Sequence, residues 1–148
     1  MTQASAILTY IADTHPAAQL GADASNIQDR FEFNETMAFL TGDFHPAFWP
    51  YFVPQRFTTE RTPQALDHTR EAAHARIDRV MQYLDSLIGD SNHVYHGRRT
   101  VADAYAYIMV RWTAKLPKPW QDYPNIARFM AAMEQDQQVQ AVMRESRG

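Results

Sequence analysis

The chain has 148 residues, of which 45% are hydrophobic and 21% charged, with a formal net charge of −3; this is the size and make-up of one soluble globular domain. No basic run exceeds two residues, which argues against nucleic acid and anionic membranes as partners. The absence of cysteine excludes a disulfide framework, a thiolate zinc site and a cysteine nucleophile and fits a cytoplasmic setting, and the longest apolar run, Ala104–Val110, is far short of the ~20 residues of a membrane span.

Glycine and proline divide the chain into helical stretches, and alternating apolar and polar strands are hard to find, so an all-α domain is expected. The first segment, Gln3–Thr14, carries Ile7, Leu8 and Ile11 at helical spacing, and His15-Pro16 closes it. The second, Asp23–Leu40, places Ile27, Phe31, Phe33, Met37 and Leu40 on one broad apolar face before Gly42 interrupts. Residues 44–57 read FHPAFWPYFVPQRF. Prolines 46, 50 and 54 predict a kinked or broken continuation, because each interior proline costs a helix ~3 kcal/mol.

A long helix is expected over Pro63–Leu87, with Leu66, Ala73, Ile77, Val80, Met81, Leu84, Leu87 and Ile88 on one face and Gly89-Asp90 at its end. A loop, Ser91–Arg99, follows. Thr100-Val-Ala-Asp103 has the form of a capping box, Thr100 at the N-cap and Asp103 at the third helical position, and predicts a sharp start. The helix it opens, Val101–Ala114, is apolar nearly all round and should be the central buried one. Pro124 opens a helix with Ile126, Phe129, Met130 and Met133 inward, and a short last helix spans Gln137–Glu145.

The motifs of familiar chemistry are missing. The chain contains no HExxH, CxxC, GxSxG, Walker A or dinucleotide fingerprint. His93 and His96 share a loop but have no obvious third ligand, so no metal site is expected. Arg111 reads as a cation on the last carbonyls of its helix, with Trp112 packing beside it. The aromatic stretch 44–57 reads either as core or as the wall of a pocket with His45 at its mouth.

Four segments resemble glutathione S-transferases, most closely the bacterial beta class: SAILTYIADTHPAAQL (5–20), FHPAFWPYFVPQRF (44–57), HGRRTVADAYAYIMVRW (96–112) and YPNIARFMAAMEQDQQVQAVM (123–143). Within these, Arg99 replaces an apolar residue and Gln137 a proline of the usual pattern. The resemblance implies that residues 1–18 are the last helix and linker of a thioredoxin-like domain, and that 19–148 form the helical C-terminal domain. It assigns His45 a catalytic place near the glutathione sulfur. Phe44, Phe48, Tyr105, Met109 and Trp112 become the hydrophobic substrate pocket, and Gln3 a remnant of the glutathione site. Ala4 stands where that site usually has serine.

The family reaction joins the glutathione thiolate to electrophiles, and no covalently bound cofactor is implied. With the upstream part of the thioredoxin-like domain outside the sequence, the expectation is that this chain alone binds hydrophobic small molecules, forms a homodimer and does not catalyse. Its first helix is expected to be loose or covered by a second copy. The alternative is a non-enzymatic helical module for hydrophobic ligands or a protein partner.

Overall fold

The structure, a computed structural model, describes residues 3–146. α1 (Ala4–Thr14) follows Gln3, whose φ of 70° is unusual for a residue other than glycine. A linker with one 3₁₀ turn, Pro16–Ala18, leads to α2 (Ile27–Phe39). α2 starts four residues later than its periodicity suggests. Asp23 is occupied in a local turn, accepting the Ser25 amide at 2.9 Å and hydroxyl at 2.7 Å. Asn26 is the actual cap, accepting the Gln28 and Asp29 amides at 3.0 and 3.2 Å.

α2 runs without a break into a π-helical turn, Leu40–Phe44, then α3 (His45–Ala47) and α4 (Trp49–Phe52), with a 3₁₀ turn over Pro54–Arg56. The expected interruption is present. Pro46 and Pro50 supply no N–H, so the α ladder cannot run through 42–50 and the chain turns by local adjustments instead.

α5 (Pro63–Ile88) is capped by Thr62 and ends at Gly89, whose φ of 52° few other residues adopt cheaply. α6 (Val101–Val110) is shorter than expected and tightens into a 3₁₀ segment, Arg111–Lys115. α7 (Pro124–Gln135) and α8 (Gln137–Glu145) complete the chain, α8 capped by Asp136 at 2.8 and 3.0 Å. No strand occurs among the described residues; the only pairing is an isolated bridge between Tyr95 and Arg98.

The core is one cluster. Phe33 and Met37 of α2 and Leu40 of the π turn meet Ile77, Met81 and Leu84 of α5, Ala102, Ala106 and Val110 of α6, and Ile126, Phe129 and Met130 of α7. Two expectations need correcting. Ile27 and Phe31 do not join Phe33 and Met37: they are 83% and 61% exposed, on the outer side of α2. α6 is not buried all round, since Ala104 and Ile108 face out.

α1 is not detached from the bundle. It packs against α6, with Ala12 buried and Leu8 against the core, while Tyr10 and Ile11 stay exposed. Gly21 permits this, because a Cβ there would lie 2.9 Å from the Cβ of Ala12.

Candidate functional site

The π turn delivers His45 to the junction of α3 and α6. There its Nδ1 meets the Tyr105 hydroxyl at 2.9 Å. The imidazole stacks on Trp49, with centroids 5.5 Å apart at 13°, and leans on Trp112 at 5.2 Å. Trp112 in turn meets Phe48 and Phe52 edge-on, each at 5.3 Å. One turn of helix separates His45 from Trp49, which puts both rings on one face. Tyr105 and Trp112, two turns apart on α6 and its extension, supply the other wall.

Exposure divides the expected pocket residues. Phe44, Phe48 and Met109 have no exposed surface, so they back this face and cannot touch a ligand on it in this conformation. Tyr105 and Trp112 are half-buried, while Trp49 and Phe52, which lie in the 44–57 stretch but are not among the pocket residues that the resemblance assigns, are 40% and 45% exposed. The accessible surface is thus His45, Trp49, Phe52, Tyr105 and Trp112. Periodicity could have hinted at Trp49 and Phe52, which lie four and seven residues after His45.

Burial depresses the His45 pKa below its ordinary 6.5, so the ring is neutral at pH 7, and burial raises that of Tyr105, which keeps its proton. Gln3 is exposed and its side chain makes no capping bond. Among the described residues no group of three or more His, Cys, Asp or Glu is placed to hold a metal.

The capping box is lopsided. Asp103, 1% exposed, accepts the Thr100 amide at 2.9 Å, the Val94 amide at 2.7 Å and approaches His93 Nδ1 at 3.1 Å. Thr100 Oγ1 faces the Asp103 amide as a capping box requires, yet is buried with no well-formed bond, while that amide lies 3.1 Å from the Thr100 carbonyl. Burial raises the Asp103 pKa, against the pull of the Val94 and Thr100 amides and of His93. The carboxylate, not the hydroxyl, therefore ties the 91–99 loop to α6.

A second carboxylate cluster was not foreseen. Asp29 on α2 accepts the Asp23 amide at 2.6 Å, the Tyr95 hydroxyl at 2.7 Å and Arg98 at 2.9 Å, and these donors hold its pKa below the usual range. Arg98 also donates to the Gly21 carbonyl at 2.6 Å, and Val101 N to that of Leu20 at 2.9 Å. This clasp fixes the linker against the start of α6. Arg99 pairs with Asp136 at the α8 cap. Arg111 does not serve the last carbonyls as expected; it donates to the Tyr107 hydroxyl at 2.9 Å.

The profile of the family described as glutathione S-transferase, C-terminal domain, matches residues 43–146. Glutathione S-transferase GST-4.5 of Xanthomonas campestris is 31% identical over 143 residues, which is 97% of this chain and 69% of that protein. A sphingomonad glutathione S-transferase solved in complex with glutathione superposes with a TM-score of 0.83 at 28% identity. The bacterial beta class enzyme of Sphingomonas chungbukensis does so with 0.81 at 28% identity. Both superpositions cover 98% of this chain and 67% of the solved one. A match over most of the chain, a relative above 30% identity and the shared helical fold agree: the chain belongs to the glutathione S-transferase family, and residues 43–146 match the family's C-terminal domain.

Proposed function

We propose that the face formed by His45, Trp49, Phe52, Tyr105 and Trp112 is the electrophile side of a glutathione transferase site. The observation that carries this reading is a neutral histidine set among partly exposed aromatic rings. Flat apolar electrophiles would stack there, and His45 would stand where a thiolate sulfur has to arrive. Phe44, Phe48 and Met109 act indirectly, by fixing the wall. Gln3 would reach the γ-glutamyl end of glutathione.

By itself this 148-residue chain would bind the aromatic partner but not turn it over. Of the residues that the family resemblance assigns to glutathione, it carries Gln3 and His45. A hydrogen bond contributes ~0.5–1.5 kcal/mol net, whereas millimolar binding needs about 4 kcal/mol. Without a held thiolate the advantage of proximity is lost. The test is conjugation of glutathione to a chloronitrobenzene by the purified chain. No saturable turnover is expected. Turnover that vanishes in His45→Ala would show that the helical domain builds a glutathione site of its own.

The homodimer belongs to the same reading. The exposed pair Ile27 and Phe31, one turn apart on α2, would be covered by a second copy.

A further inference from the structure

The hydroxyl of Tyr105 lies 2.9 Å from Nδ1 of His45, and this contact has two readings with opposite chemistry. Either the phenol donates to an unprotonated Nδ1, leaving the imidazole proton on Nε2, or Nδ1–H donates to the phenolic oxygen and Nε2 is a bare lone pair. The first makes His45 a hydrogen-bond donor at the open face; the second makes it a base.

The surroundings decide between them. Tyr105 keeps its proton at neutral pH, and a phenol is a better donor to an imidazole nitrogen than an imidazole N–H is to a phenol. The ring cannot rotate freely to swap its nitrogens, because Trp49 stacks on it and Trp112 leans against it. Nε2 has no partner among the described residues. It is also not one of the buried unpartnered atoms, which are His74 Nε2 and Thr100 Oγ1, so it is open to solvent.

We infer that Tyr105 is a positioning residue: it locks His45 as the Nε2–H tautomer, so that the histidine presents a fixed donor to an anionic sulfur or oxygen at the aromatic face rather than a base. The consequence for catalysis rests on the reading of that face as a transferase site; the tautomer itself does not. The ligand chemistry is a thiolate, or the negative charge that develops on an electrophile as sulfur adds, either of which a preplaced N–H stabilises.

Nitrogen-15 correlation spectra of the imidazoles test this on the wild-type chain with no substitution. The expected result at pH 8 is a pyrrole-type Nε2 and a pyridine-type Nδ1 for His45. The reverse assignment, or an averaged mixture, overturns the inference. Tyr105→Phe adds a sign test. Losing a donor that favours the neutral ring should raise the His45 titration midpoint, by about half to one pH unit. A fall would mean that Nδ1–H was the donor and would equally overturn it. Titrating the same sample with a chloronitrobenzene tests the site reading separately: a locked tautomer with no ligand response would refute the site and keep the lock, and binding without the lock would do the converse.

Discussion

His45 carries a pH signature. Its folded pKa lies below 6.5 because burial disfavours the charged ring. The folded state therefore binds fewer protons than the unfolded state over that interval. The stability this group contributes is present above pH 6.5 and is lost as pH falls through the folded pKa. The melting temperature should drop between pH 7.5 and 5.5, and His45→Gln should flatten that drop; an unchanged slope would place the titration elsewhere. The lopsided capping box makes a second prediction. Asp103→Ala leaves the buried Thr100 and Val94 amides without their acceptor and should cost ~3 kcal/mol. Thr100→Ala removes a hydroxyl with no well-formed bond and should cost ~0.5 kcal/mol or less. Chemical denaturation of both variants checks this, and equal losses would mean that the hydroxyl does cap the helix.

Individual helices were legible to the extent that their signals were local. α7 and its inward face follow directly from their residues, because Pro124 and one apolar stripe specify them, and α8 starts where its Asp136 cap sets it. The break over 44–57 was legible as a break, yet its π turn was not, since proline forbids the α ladder without choosing its replacement. Ile27 and Phe31 misled because spacing alone does not say which of two adjacent stripes on α2 turns inward. The site was only partly legible for a similar reason. His45, Tyr105 and Trp112 come together, but Phe44, Phe48 and Met109 fall one layer deeper, and depth is a property of the packed bundle. Asp29 itself is bonded to a residue 69 positions away, beyond any local pattern. The clasp also bears on α1, which reaches α6 through the linker that Arg98 and Gly21 hold. Gly21→Val would press against the Ala12 Cβ and should loosen α1. Amide exchange over residues 7–12 should then speed up while α7 stays protected; unchanged exchange would show that α1 docks without the linker's help.

At the scale of the whole chain, two surfaces have distinct jobs in this account. The outer side of α2 should drive association. Ile27→Glu with Phe31→Glu is expected to shift sedimentation from dimer to monomer, and a wild-type chain that is monomeric at tens of micromolar would refute that role. The aromatic face should take the electrophile, and the three tryptophans report on it with an internal control: Trp49 and Trp112 belong to the face, whereas Trp120 lies in the turn before α7, outside that ring cluster. The most direct measurement is therefore an NMR titration of the three indole N–H signals with a chloronitrobenzene in the absence of glutathione. Saturable shifts of Trp49 and Trp112 with Trp120 unmoved are the predicted result; shifts of Trp120 alone, or of none of the three, would contradict the assignment of this face as the electrophile site.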